Sequence, residues 1–464
     1  MTKPMRLGLF QQASPQIGGT LSWPHPRSQS IRFPELDYWI EVAQTIDSAG
    51  FDFLFFADAF GYPTYKNDLP AAAVAAGILF PTLDPLFLLP TLAHVTSRLG
   101  FVATSTTGLD HPVQAARRFA TLDHLTGGRV GWNIVTGGTQ RAIADLMGHE
   151  EMRKHDDRYE VAGEYVDLAL RYLEGSWEDD AVVIDRERRV YAERSKLHRV
   201  EFEGKHYRSS GYLTVPPSPQ RTPVLFQAGT SSAGQALAAA YAECVFVVAS
   251  SVESVARSVA EIRAKAEALG RDPHSISIMA GATVIVAADA DKAATQRAEF
   301  EALQSDEVVN VLYSGNTGID LMSLDPDKSL AQIIDAGGDI GQIGQSQINR
   351  FLDDDGKDAP TVREIMDELR GRGIRGFQLT GDPQDVTDGL ESLMDSTGLD
   401  GFLIEPVFDL ADVRDFAELV VPELRKRGRL PEVPRSGTLR AQLSADGRDR
   451  LRSDHPGAKY GRWA

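Results

Sequence analysis

Apolar residues in this chain gather in short runs rich in β-branched and aromatic side chains, separated by longer stretches with helical spacing. The runs fall at 6–10, 51–57, 99–105, 130–135, 223–227, 244–248, 277–286 and 401–404. They are nearly continuous rather than alternating, the pattern of parallel strands covered on both faces. Helical patterns follow at 36–48, 112–125, 159–172, 233–242 and 252–269, most of them ending near a glycine such as Gly50, Gly127, Gly175 or Gly270. Alternation of this kind specifies βαβ units. Eight strand candidates predict one closed (β/α)8 TIM barrel, an α/β fold that accommodates the whole 464-residue length when it carries insertion segments.

The expected layout is a barrel domain over 1–435, with insertions at about 177–222 and 315–360 and a C-terminal tail at 436–464. Both insertions are polar and dotted with Gly and Pro, and loops of that length in a compact domain are usually functional, as lids are. The glycine-rich stretch 337–344 follows a helical pattern and lacks a strand-to-helix context, so it is taken as a flexible loop ahead of a phosphate cradle. Arg448, Arg450, Arg452, Lys459 and Arg462 alternate with Asp446, Asp449 and Asp454, the pattern of a solvated tail.

Charge narrows the partners. Lys and Arg number 48 against 66 Asp and Glu, a net charge of −18. Such a chain is repelled by nucleic acid and by anionic membrane surfaces. The most apolar window, 70–90, is broken by Gly77, Pro81, Asp84 and Pro85, so no membrane span is expected. Cys244 is the only cysteine and lies in an apolar run, which excludes an intrachain disulfide and predicts a buried thiol. With no secretion signal over residues 1–10, a cytoplasmic location is expected.

In a barrel of this type the working residues sit at the C-terminal ends of strands. Asp58, the stretch Thr104 to Thr107, Asn133 and Thr136, and Gln227 with Gly229, Thr230, Ser231 and Ser232 occupy such ends. They are neutral donors and acceptors with few acids and no nucleophile–base pair, an inventory better suited to a polar ring cofactor than to hydrolysis. No metal site is expected: His155, Asp156 and Asp157 form the only cluster of ligand types, and neighbouring loop residues seldom converge on one ion. Between a strand and a helix, Gly229 to Gly234 offers free backbone N–H groups and the positive end of a helix dipole, a phosphate site; read alone, Ser231 serves equally as an N-cap.

Several blocks then occur in a recognisable order: 51–58 ending in Asp58, 116–123, 128–136 around Asn133, His155 to Tyr159 leading into Glu164, and Gln227 to Ser231. Together, over about 7–430, they resemble the bacterial luciferase-like flavin monooxygenases, in the branch that includes nitrilotriacetate, EDTA and dibenzothiophene sulfone monooxygenases. The resemblance implies a barrel mouth that binds FMN through Asp58, Thr104, His155, Tyr159, Thr230 and Ser231, with Asn133 and Thr104 facing the reacting centre. It further implies reduced FMN and O2 as reactants, a separate NAD(P)H:flavin reductase, and a homodimer or homotetramer. Thr230 stands where many relatives carry a larger apolar residue, and 18–26 follows their loop only loosely, so the substrate is left open. Three rival readings share the barrel: a deazaflavin-dependent oxidoreductase, a non-catalytic flavin-binding protein, and a metal-dependent hydrolase.

Overall fold

The structure is a computed structural model and describes residues 3–18, 20–137, 140–149, 155–229, 231–248, 251–335, 351, 359–373 and 376–461. Its strands are β1 (Arg6–Gln12), β2 (Phe53–Ala57), β3 (Gly100–Thr106), β4 (Val130–Val135), β5 (Val182–Asp185), β6 (Val190–Ala192), β7 (Val200–Glu203), β8 (Arg208–Gly211), β9 (Val224–Gln227), β10 (Cys244–Val247), β11 (Ser277–Val286), β12 (Phe377–Gly381) and β13 (Gly401–Glu405). Around the barrel wall the order is β1, β2, β3, β4, β9, β10, β11 and β13, which pairs back to β1. All pairings in the wall are parallel, and the eight strands read from the apolar runs are the eight staves.

Period-two alternation sends one set of side chains inward and the other toward the helices. Phe53, Phe55, Val102, Phe226, Phe246 and Met279 fill the interior, while Leu54, Phe56, Phe101, Trp132 and Val245 pack outward. The inner phenylalanines need room, and glycines supply it: a Cβ on Gly8 would collide with Phe53, and one on Gly131 would lie 2.7 Å from Phe226. Cys244 is fully buried in this interior, 3.7 Å from Met279 Sδ, and burial pushes its thiol well up.

β11 runs beyond the barrel rim. Its first half pairs with β10, and Ala282–Val286 pairs with β12, so a ninth strand covers the edge that would otherwise stand open. The insertion after the helix His155–Gly175 is not an irregular loop but two antiparallel hairpins, β5–β6 and β7–β8. The second insertion carries helices Asp306–Thr317, Leu330–Asp335 and Val362–Arg372 around a small core of their own, built on Tyr313, Leu330, Phe351 and Ile365. The glycine-rich stretch 337–344 lies outside the described residues.

The expectation of a solvated tail is overturned. Leu439–Leu443 is a short helix that enters the N-terminal end of the barrel, where Leu439 and Leu443 join the interior core. Leu439 occupies the space left by Gly100, and Arg6 donates to the carbonyls of Gln442 (2.7 Å) and Leu443 (2.8 Å). Arg440 is buried and grips Glu243 through Nε (2.6 Å) and Nη2 (2.8 Å) while donating to the carbonyls of Gln220, Thr222 and Pro223. The alternating charges beyond it form surface pairs, as Arg452 does with Asp454, and so leave the apolar anchors free to dock. No described helix is long and apolar enough to cross a membrane.

Candidate active site

The residues at the mouth lie on neighbouring staves: Asp58 just past β2, Thr104 on β3, Asn133 on β4, and Gln227 to Ser231 leaving β9. Adjacency follows from the register, in which Thr104 faces Asn133 across β3–β4 and Ile134 faces Gln227 across β4–β9.

Thr104 and Asn133 are both buried and directly bonded. The Thr104 hydroxyl donates to the Phe56 carbonyl at 2.8 Å, so it has only lone pairs to offer Asn133. That fixes the amide: Nδ2 donates to Thr104 Oγ1 at 2.9 Å, and Oδ1 is turned away. Oδ1 is buried and has no hydrogen-bond partner among the described residues. Buried polar atoms rarely lack partners, so the site holds a standing demand for a donor. Asp58 sits one stave over. Burial, aided by Asp84 and opposed by the Ala59 N–H, raises its carboxyl from 3.8 to about 6.

The turn after β9 is built for close approach. Gly229 N–H donates to Gln227 Oε1 at 2.7 Å, and Ser231 caps the helix Ser232–Tyr241 by accepting from Gly234 N–H at 3.1 Å. As an acceptor there, the Ser231 hydroxyl keeps its own proton to donate. A Cβ on Gly234 would lie 2.9 Å from the Gly229 backbone and 3.0 Å from Tyr159 Oη, and one on Gly229 would lie 2.8 Å from that same oxygen. Tyr159, on the first turns of His155–Gly175, therefore leans over the two glycines and Ser231, and the three elements form one shallow cradle. Thr230 and the side chain of His155 lie outside the described residues.

Two features of the structure go beyond the sequence reading. Glu405 ends β13 and faces inward, accepting from Thr283 Oγ1 at 3.2 Å beside a cavity of about 150 Å³ walled by Phe10, Phe55, Phe246 and Leu403. The strand-end rule that found Asp58 applies equally to this stave. Glu164, part of a recognised block, accepts three backbone N–H groups from the β7–β8 turn, those of Lys205 (2.9 Å), His206 (2.8 Å) and Tyr207 (2.6 Å). It thus pins the insertion to the helix that carries Tyr159. Among the described residues no three His, Cys, Asp or Glu side chains group to hold a metal ion.

A barrel whose mouth offers a fixed acceptor, a half-buried acid and a glycine cradle, with no nucleophile–base pair among them, is the frame of an enzyme that works through a bound cofactor. The chain matches the luciferase-like monooxygenase family over residues 5–401 and belongs to it; it is a flavin-dependent monooxygenase. It is 38% identical over 464 residues to the dimethyl-sulfide monooxygenase of Hyphomicrobium sulfonivorans, across 99% of this chain and 94% of that one. Identity to the long-chain alkane monooxygenase of Geobacillus thermodenitrificans is 37% over 462 residues, across 99% and 98% of the two chains. The crystal structure of a riboflavin lyase with modified FMN and substrate riboflavin superposes with a TM-score of 0.92 at 37% identity, covering 99% of each chain.

Proposed function

We propose that the chain is the oxygenase component of a two-component system, taking reduced FMN from a separate NAD(P)H:flavin reductase and using O2 to oxygenate a small organic molecule that carries sulfur, nitrogen or halogen. The observation that carries this reading is the line of polar groups across four adjacent staves: acceptors at Asp58 and Asn133, then the cradle of Gly229, Ser231, Gly234 and Tyr159. A flavin mononucleotide has the same order of needs, with N–H donors on its ring edge and a phosphate at the far end of its chain. When bound, reduced flavin supplies the electrons that activate O2.

The chain's own residues then have defined tasks. Asn133 Oδ1 accepts an N–H from the ring, Thr104 holds the amide in that orientation, and Asp58 accepts at the ring edge. Ser231 and Tyr159 donate hydroxyl hydrogens to the phosphate, which the adjoining helix dipole also favours. The apolar cavity beside Glu405 takes the substrate's carbon skeleton and keeps water from the reacting centre. The name of the dimethyl-sulfide monooxygenase fits a small sulfur-bearing substrate, and that of the long-chain alkane monooxygenase fits only its apolar character.

The test is an oxygen electrode with the purified chain, FMN, NADH and a generic flavin reductase, screened over sulfides, sulfones, aminopolycarboxylates, halogenated aromatics and nitrogen heterocycles. Uptake that requires both reductase and one substrate class is expected. Rapid NADH consumption by the chain alone would remove the two-component assignment, and anaerobic turnover would replace it with hydride transfer.

Asp58 sets a pH dependence. Ionised, the Asp58 carboxylate is the stronger acceptor of an N–H, so reduced-FMN affinity rises with pH through about 6 and weakens below it. The phosphate of the ligand titrates in the same range, so Asp58→Asn is the reference, and the ratio of the two affinities carries the step. A flat ratio would exclude Asp58 from the ring edge. In the free protein the shift works against folding. An acid whose folded pKa is raised loses stability as pH climbs from 3.8 through about 6, so Asp58→Asn is at least as stable as the parent at neutral pH.

A further inference from the structure

Glu405 places a charge in a pocket that is otherwise carbon. Phe10, Phe55, Phe246, Val248 and Leu403 present apolar surface to the cavity of about 150 Å³, and among the described residues that wall it Glu405 alone carries a charge. The space is that of about five water molecules, so whatever fills it lies close to the carboxylate. Two features of β11 seat that carboxylate. Thr283, its neighbour in the β11–β13 register, donates from Oγ1 to Oε2 at 3.2 Å. Oε1 stands over Gly281, also part of the wall, where any Cβ would collide with it. The glycine therefore makes room for the charge.

A carboxylate held this way discriminates by sign and by donor. Glu405 is only 9% exposed, and phenylalanines surround the space in front of it, so a ligand that enters strips water from the charge. A second anion is repelled there, and a neutral apolar chain returns nothing for the lost hydration. An ammonium group returns a charge-assisted hydrogen bond that strengthens as water leaves. The net charge of −18 also raises the concentration of small cations around the chain. A pocket that is mostly apolar with one fixed polar group is the usual means of orienting a small ligand.

We propose that Glu405 is the specificity residue for the substrate, selecting a small protonated amine whose N–H donates to the carboxylate while its carbon skeleton lies against Phe10, Phe55 and Phe246. The assignment rests on the flavin reading above for the chemistry that follows binding, and it narrows the substrate class of that same site. In the oxygen-uptake screen it favours compounds with a cationic nitrogen and a short apolar chain. Aminopolycarboxylates, which bring several carboxylates of their own, are turned away.

The test is binding to the flavin-free chain, followed by calorimetry at neutral pH with three probes of similar size: butylammonium, butan-1-ol and pentanoate. The parent binds butylammonium about tenfold or more tighter than butan-1-ol, the scale of a charge-assisted hydrogen bond, and pentanoate most weakly. Glu405→Gln keeps the shape without the charge, so the ammonium and the alcohol bind alike. Gly281→Ala pushes Oε1 from its seat and weakens butylammonium with the charge still present. A parent that does not distinguish ammonium from alcohol would overturn the assignment, as would an unchanged preference in Glu405→Gln. Reduced FMN is titrated anaerobically into the same proteins. If Glu405→Gln weakens reduced FMN by the same factor as butylammonium, the carboxylate serves the ring and the assignment falls. Ammonium selection by a parent that binds no reduced FMN would uphold the role of Glu405 and remove the flavin reading instead.

Discussion

In Asn133→Leu, substrate-dependent oxygen uptake falls by about 100-fold to 1000-fold, the range seen when one preorganised hydrogen-bonding group is removed from a reacting centre. Reduced flavin still binds, since the cradle at Gly229, Ser231 and Tyr159 is untouched. Leucine preserves volume in the buried layer, so the loss is chemical rather than a packing defect. Asn133→Asp is the sharper variant because it keeps the shape and one acceptor. The Thr104 hydroxyl is committed to the Phe56 carbonyl, however, and the new carboxylate has no proton to give it, so the relay breaks at the same point. Thr104→Val leaves the Asn133 amide free to turn and yields a smaller loss. Single-turnover oxidation of prebound reduced flavin separates these outcomes. Parent-like rates in Asn133→Leu would place the reacting centre elsewhere in the mouth.

The second large effect is on stability. Arg440→Met costs about 3–5 kcal/mol, the penalty for removing one member of a buried ion pair. Burial alone would raise the Glu243 carboxyl, but Arg440 dominates and holds it below the usual range, so the mutation strands a charge that depended on its partner. It also releases the carbonyls of Gln220, Thr222 and Pro223 just ahead of β9. Urea denaturation with tryptophan fluorescence reads the change. A lower midpoint at unchanged slope is expected, whereas a loss of under 1 kcal/mol would show that the C-terminal helix is not anchored by this pair. Glu243→Gln combined with Arg440→Met loses less than the two single changes together, because neither charge is then left alone.

The staves were legible because strands buried on both faces announce themselves as apolar runs, and 130–135 and 277–286 match their strands residue for residue. β12 was not, because Phe377–Gly381 is a short, half-exposed strand that exists only to cover the overhanging edge of β11. The hairpins β5–β6 and β7–β8 were hidden for a related reason: their strands are short, pair only within each hairpin and carry little apolar patterning to mark them. At the site, Asp58, Asn133 and Ser231 were found by position at strand ends. The coupling of Asn133 to Thr104 needed the β3–β4 register, which no local pattern records. The C-terminal segment misled because its charges alternate locally, whereas its docking surface is the floor of a barrel assembled from the rest of the chain.

That floor sets a schedule for biosynthesis. The ribosome delivers every stave before it delivers Leu439, so the nascent barrel stands with its lower phenylalanines facing water until the closing helix emerges. Chaperone dependence and aggregation should concentrate in that interval. Replacing Leu439 and Leu443 by Asp would leave the floor open after synthesis as well, and lower the yield of folded enzyme.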